Sequence, residues 1–124
     1  MNPTHIAPFL TALTDWARNR TDLYRLILVG SYARGTARPD SDIDLVLLVE
    51  NPDAFRADDL WLREIAQAIG REVTHTKDAD YGLLWSRHTF FDDGLEVEFG
   101  FSSLEWLDDS QSQAVMRDGH IVLI

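Results

Sequence analysis

The chain has 124 residues, enough for one hydrophobic core and too few for two, so we expect a single domain over residues 1–124. The apolar fraction of 45% and the charged fraction of 26% are ordinary for a globular protein, and the lack of cysteine excludes disulfides and thiolate zinc sites. A formal net charge of −10 disfavours binding to bulk nucleic acid, which depends on neutralising phosphates, but it leaves room for one metal-bound nucleotide.

The sequence carries no recognisable targeting signal. The N-terminus lacks a basic segment followed by a long apolar stretch, and no apolar run approaches the length of a membrane span. We therefore expect a cytoplasmic protein that does not interact with a membrane.

Helical and strand patterns alternate in the first half of the chain. Apolar residues at helical spacing predict a helix over 4–19, with Thr4 as its N-cap. A continuous apolar run predicts a buried strand over 23–29. The further elements predicted in this half are a short helix over 31–35, a strand over 42–49 and an amphipathic helix over 54–70.

The second half is dominated by a hairpin pattern, because Asp92-Asp93-Gly94 separates two apolar stretches and the second alternates strictly. That alternation places Glu96 and Glu98 on one face of their strand. The elements predicted here are a short strand at 73–74, a loop at 76–81, hairpin strands at 83–91 and 95–101, a short helix from Leu104 and a last strand at 120–124. Together these elements predict an α/β (α+β) fold, with a mixed β-sheet flanked by helices.

A polar segment joins the first two predicted strands. Gly30 and Ser31 end the first strand, and Asp42 and Asp44 begin the second. Alternate residues of a strand point to the same face, so these two carboxylates lie side by side, which is unfavourable unless a cation sits between them. Paired carboxylates after a Gly-Ser turn indicate Mg²⁺ and a nucleoside triphosphate. Arg34 either contacts a phosphate or forms a surface ion pair.

This pattern resembles the polymerase-β-like nucleotidyltransferase superfamily, whose signature is Gly-Ser, a spacer, acid-apolar-acid, and a third acid on a later strand. The sequence GSYARGTARPDSDIDLVLLV, from Gly30 to Val49, is similar to the small "minimal nucleotidyltransferase" branch, which also supplies antitoxins. Residues 82–107 resemble the third-acid region of stand-alone members. The resemblance implies the fold of the polymerase-β palm.

The resemblance also implies roles for individual side chains. Asp42 and Asp44 would bind Mg²⁺, and a third carboxylate would complete the metal site and help to deprotonate the attacking hydroxyl. Glu96 and Glu98 share a face, so both are candidates; we favour Glu98 as the third metal ligand because it lies deeper in its strand. The residues that would hold the triphosphate are Gly30, Ser31 and Arg34. Arg87 and His88 on the hairpin either contact the nucleotide or acceptor or pair with a cross-strand glutamate, and we favour the pairing.

The implied reaction is Mg²⁺-dependent transfer of a nucleoside monophosphate, AMP from ATP, to a hydroxyl group. The acceptor is a partner protein, such as a small helical toxin modified by its antitoxin, or a small hydroxylated molecule such as an aminoglycoside or lincosamide. A non-catalytic nucleotide-binding or partner-binding subunit is a third reading, which the retained carboxylates disfavour. No helical acceptor domain follows the hairpin, so we expect an acceptor pocket that is shallow, shared within an oligomer, or supplied by the acceptor.

Overall fold

A computed structural model describes residues 6–124, so the predicted cap Thr4 lies outside the described residues. The first predicted helix is present as α1. The helices are α1 (Ala7–Arg18), α2 (Gly30–Arg34), α3 (Pro52–Ala57), α4 (Leu60–Ile69) and α5 (Ser110–Arg117). The strands are β1 (Leu23–Val29), β2 (Ile43–Val49), β3 (Val73–Asp80), β4 (Trp85–Phe91), β5 (Glu96–Ser102) and β6 (Ile121–Val122), and a 3₁₀ helix spans Leu104–Asp108.

The six strands form one mixed sheet in the order β3-β4-β5-β2-β1-β6. The pair β2 and β5 is parallel, whereas the neighbouring pairs β1–β2 and β4–β5 are antiparallel. Helices flank this sheet, so the predicted α/β (α+β) class with a mixed sheet is confirmed. The strands with the longest apolar runs, β1 and β2, lie side by side near the middle of the sheet, where both faces are covered.

Alternation along β2 sends its side chains to two separate cores. Ile43, Leu45 and Leu47 pack into the larger core, beneath α1 and α4. Val46 and Leu48 point to the opposite face and pack with Trp106. Asp42 and Asp44 are in phase with Val46, so they lie on this second face, at the start of the strand.

The prediction of one continuous helix over 54–70 is wrong. The segment forms two helices, α3 and α4, which are separated by Asp58 and Asp59. The side chain of Asp58 accepts a hydrogen bond from the Leu60 N–H at 3.0 Å, in competition with the helical pattern. The indole of Trp61 donates to the Phe55 carbonyl at 2.8 Å, which ties the two short helices together.

The loop predicted at 76–81 is also wrong, because β3 continues to Asp80 and pairs along its length with β4. Most of its side chains are exposed, so the sequence shows no apolar alternation that would reveal a strand. Arg87 holds this edge strand by donating from Nε and Nη2 to Asp78, at 2.8 and 2.9 Å. The expected pairing of Arg87 with a glutamate is therefore wrong: the β4–β3 register places Arg87 opposite Asp78 instead.

The C-terminal segment contains one more helix than predicted. After the 3₁₀ helix, the Asp109 side chain caps α5 by accepting from the Gln111 N–H at 3.0 Å. Trp106 and Val115 from this segment pack on the second face of the sheet, where Trp106 is buried. None of the helices in residues 6–124 is both long and apolar enough to cross a membrane.

Candidate active site

Three carboxylates meet where β2 and β5 run side by side. The parallel register of these strands places Asp44 opposite Glu98, and Asp42 precedes Asp44 on the same face. One carboxylate oxygen from each of Asp42, Asp44 and Glu98 lies within 4.8 Å of the others. Each residue is half-buried. We call this group the acid cluster.

Burial raises the pKa of the Asp44 carboxyl to about 7, and the negative charges of Asp42 and Glu98 together with a hydrogen bond to Glu98 push it in the same direction. Among the described residues, the positive charge of Arg34 opposes this shift and lowers the pKa of Asp44. The protein alone therefore does not balance the charge of the acid cluster, and a cation placed among the three carboxylates would relieve the repulsion.

The donor set suits a hard divalent cation such as Mg²⁺. All three candidate ligands are carboxylates, the hard oxygen donors that Mg²⁺ prefers, and they converge on one point from two adjacent strands. Asp42, Asp44 and Glu98 are therefore the residues that could hold the ion.

Gly30 makes room for one of these carboxylates. Its φ of +75° is in the left-handed region, and a Cβ atom added there would lie 2.2 Å from Asp44 Oδ2. The β1–β2 register explains this closeness, since Val29 pairs directly with Asp44. Any side chain at position 30 would displace the Asp44 carboxylate.

Ser31 and Arg34 lie on α2, beside the acid cluster. Ser31 is half-buried and Arg34 is exposed. Within residues 6–124, Arg34 forms no ion pair at 4.0 Å or less, although its charge lowers the pKa of Asp44. The guanidinium is therefore available to an anion next to the carboxylates.

Glu98 and Glu96 have different surroundings. Glu98 belongs to the acid cluster and accepts a hydrogen bond of 2.8 Å from the Ser86 hydroxyl. Glu96 lies outside the cluster, with its Oε1 3.3 Å from His88 Nε2, so the expected approach of His88 to a cross-strand glutamate is present. Sequence reasoning missed Ser86, although alternation along β4 places it on the face of Glu98.

A cleft of about 330 Å³ extends from the acid cluster across the second face of the sheet. Its polar end includes Arg34, Asp44 and Glu98. Its other end is largely apolar and is lined by Val46, Leu84, Trp106 and Val115. The cleft thus combines anionic metal ligands, a free guanidinium and an apolar floor, a combination that suits a nucleotide.

The fold is similar to two solved structures. One is an aminoglycoside 6-adenyltransferase from Bacillus subtilis, with a TM-score of 0.61 and 16% identity, covering 82% of this chain and 36% of that chain. The other is a cytoplasmic RNA terminal U-transferase, with a TM-score of 0.50 and 20% identity, covering 93% of this chain and 30% of that chain. The chain thus spans about a third of the length of these structures, and at such identities the likeness concerns the fold alone.

No curated protein matches the chain in sequence. The model of the nucleotidyltransferase domain family, in contrast, matches residues 12–83, which is more than half of the chain. The match includes Gly30, Ser31, Asp42 and Asp44, and it agrees with the fold of the two solved structures. The resemblance to the polymerase-β-like superfamily is thereby confirmed, and the chain belongs to the nucleotidyltransferase domain family.

Proposed function

We propose that this protein is a Mg²⁺-dependent nucleotidyltransferase that moves a nucleoside monophosphate, AMP from ATP, to a hydroxyl group. The observation that supports this most strongly is the acid cluster: three carboxylates within 4.8 Å of one another, beside a Gly-Ser turn, in a chain of this family. The substrate ATP and the cofactor Mg²⁺ are both available in the cytoplasm, where we expect the enzyme to act.

Each side chain has a task in this proposal. Asp42, Asp44 and Glu98 would hold Mg²⁺, which when bound stabilises negative charge on the phosphoryl oxygens. Arg34 adds a positive charge beside the triphosphate, and Ser31 offers it a hydroxyl and an N–H. The Ser86 hydroxyl donates to one oxygen of Glu98 at 2.8 Å, which restrains this carboxylate beside the site.

At the α-phosphorus the reaction forms one bond and breaks one, and the acceptor hydroxyl loses its proton. The acceptor oxygen bonds to the α-phosphorus, while the bond from that phosphorus to the bridging oxygen of the β-phosphate breaks and pyrophosphate leaves. The hydroxyl proton passes to a carboxylate of the acid cluster and from there to solvent; Glu98 is our choice, because it is the cluster member on the side of β4.

The acceptor we favour is a hydroxyl of a partner protein, a tyrosine or serine, in line with the resemblance to the minimal branch that supplies antitoxins. A small helical toxin is the natural candidate. The second candidate is a small hydroxylated molecule, an aminoglycoside or lincosamide, and the fold likeness to an aminoglycoside 6-adenyltransferase supports it. In either case an oligomer could complete the acceptor pocket. A non-catalytic binding subunit remains the alternative from another class.

The test is a transfer assay with α-³²P-labelled ATP and Mg²⁺. The acceptors are kanamycin, lincomycin, tyrosine- and serine-containing peptides, and the protein encoded beside this gene, whose mass is read after co-expression. We expect one acceptor to gain one nucleotide, with pyrophosphate released in equal amount. D44N should abolish the transfer, whereas D40N, which changes an exposed carboxylate in the loop before β2, should not. Binding of ATP without transfer to any acceptor would favour the non-catalytic alternative.

A further inference from the structure

His88 lies on the opposite side of the acid cluster from the Gly-Ser turn. The strand order places β1, which leads into Gly30 and α2, on one side of β2 and β5, and places β4 on the other. On β4, His88 is directly opposite Glu98 in the antiparallel register. If the triphosphate lies against α2, the attacking hydroxyl approaches from the side of β4, because the attacking and leaving oxygens are roughly in line through the phosphorus.

The Nε2 atom of His88 is buried and has no hydrogen-bond partner among the described residues. It lies 3.3 Å from Glu96 Oε1, but the geometry of this contact does not make a hydrogen bond. Asp42 Oδ2 is 4.0 Å away on the other side. A buried polar atom without a partner is unfavourable, so this nitrogen is suited to a group that arrives from outside.

The distance between His88 Nε2 and Asp42 Oδ2 suits a bridging hydroxyl, which enters when the side chains that cover the buried nitrogen move aside. Two polar atoms 4.0 Å apart are too distant for a direct hydrogen bond, and an oxygen atom inserted between them would lie about 2.8 Å from each. A hydroxyl both donates and accepts, so it can satisfy the imidazole in either tautomer while it lies next to the acid cluster.

The imidazole is also held in place. His88 stacks on Phe90 with ring centroids 4.6 Å apart and an angle of 6° between the planes. Phe90 stacks in turn with His75, at 4.1 Å and 7°. This row of parallel rings restrains the His88 ring plane and keeps the Nε2 edge next to Asp42 and Glu96 before any ligand binds, which is the preorganisation that a binding group requires.

We propose that His88 is an acceptor-binding residue, whose Nε2 hydrogen-bonds the hydroxyl group that receives the nucleotide. This assignment rests on the proposed transferase function and adds to it the place where the acceptor binds: the β4 side of the acid cluster, with the donor on the α2 side. ATP and acceptor therefore use separate residues, and His88 belongs only to the acceptor.

The test compares two matched variants of the full chain. H88F keeps a flat ring on Phe90 but removes the nitrogen, and H75F makes the same change at the other end of the ring row. The measurements are the Kd for ATP with Mg²⁺, by calorimetry, and kcat/KM for the acceptor that the wild type modifies in the panel above. For H88F we expect an unchanged Kd for ATP and a fall of about tenfold in acceptor kcat/KM, the loss of one hydrogen bond. H75F should stay within about twofold of the wild type in both.

A second variant, H88Q, is the control for a loss of activity caused by misfolding. Its glutamine keeps a hydrogen-bond donor near the position of Nε2, so H88Q should recover part of the acceptor kcat/KM. An acceptor kcat/KM equal to the wild type in H88F would overturn the assignment, and so would a parallel loss of ATP affinity, which would place His88 on the donor side. If the wild type itself modifies no acceptor, the proposed function fails and this assignment fails with it, whereas transfer that is insensitive to H88F removes only the assignment.

Discussion

Gly30 and Asp44 compete for the same small volume at the centre of the site. The left-handed turn at Gly30 brings the backbone so close that only a hydrogen atom fits between it and Asp44 Oδ2. The turn thus has two roles. It changes the direction of the chain from β1 into α2, and it allows Asp44 to join Asp42 and Glu98.

This closeness leads to a prediction for G30A. The new methyl group would displace the Asp44 carboxylate, so we expect loss of Mg²⁺ binding and transfer, together with a stability cost of about 1–2 kcal/mol for an alanine in the left-handed region. Gly35 offers a matched control, because its φ is +76° and no atom lies within 4 Å of an added Cβ. G35A should lose similar stability in thermal unfolding but keep activity. Equal activity losses in the two variants would refute the steric explanation.

The raised pKa of Asp44 predicts how the metal-free protein responds to pH. An aspartate normally titrates near pH 3.8, and in the folded protein Asp44 titrates at about 7, so between these values the folded state holds the proton more tightly than the unfolded state. Ionisation of Asp44 therefore lowers stability progressively as the pH rises from about 4 to about 7, after which the loss is complete.

We therefore expect D44N to unfold several degrees higher than the wild type in EDTA at pH 8, and to lose this advantage at pH 4. Other groups contribute to the absolute pH dependence, so the difference between the two proteins is the informative quantity. Thermal unfolding followed by circular dichroism at both pH values measures it. A D44N protein that is less stable than the wild type at pH 8 would show that the carboxylate is not destabilised in the folded state.

At the scale of elements, β3 is an edge strand that depends on its neighbour. Arg87 anchors it through a two-point contact with Asp78, and the exposed fractions of the two side chains are 12% and 32%. This contact lowers the pKa of Asp78. Arg87 also lies over the ring of Trp85, at 5.3 Å from its centroid. The strand is thus held through charge and side-chain contacts of β4.

The contact predicts an effect of R87K. Lysine keeps the charge but cannot form the paired hydrogen bonds, so we expect a loss of about 1 kcal/mol in stability and faster hydrogen exchange in residues 73–80. The control is R56K, because Arg56 makes a longer and more exposed ion pair with Asp80, at 3.4 Å; its effect should be a few tenths of a kcal/mol. Unchanged exchange in R87K would mean that backbone pairing alone fixes β3.

The elements that could be predicted are those whose pattern arises locally. Continuous apolar runs predict β1 and β2, and strict alternation predicts β5, because each of these strands has at least one buried face. Beyond the short strand predicted at 73–74, β3 has neither signal, since pairing with β4 holds it while most of its side chains face solvent. The break between α3 and α4 at Asp58 depends on a side-chain hydrogen bond that competes with helical backbone bonds. The spacing of apolar residues in the sequence does not reveal such a hydrogen bond.

At the scale of the whole molecule, the sheet sets the geometry of the site. Asp42 and Asp44 are recognisable from their spacing alone, because the strand period places them on one face. Which glutamate joins them depends on the parallel register of β2 and β5, a contact between residues more than fifty positions apart in sequence. That register places Glu98 opposite Asp44. Ser86 and His88 join the same face through a second non-local pairing, between β4 and β5.

In the proposed function, the acid cluster holds Mg²⁺ for a bound triphosphate. The most direct test is calorimetric titration of ATP into the wild type, D42N and D40N, each with Mg²⁺ and with EDTA. We predict Mg²⁺-dependent ATP binding by the wild type and by D40N, and a loss of at least about tenfold in D42N, because one of three metal ligands is gone. Equal ATP affinity in the wild type and D42N, with or without Mg²⁺, would contradict the account.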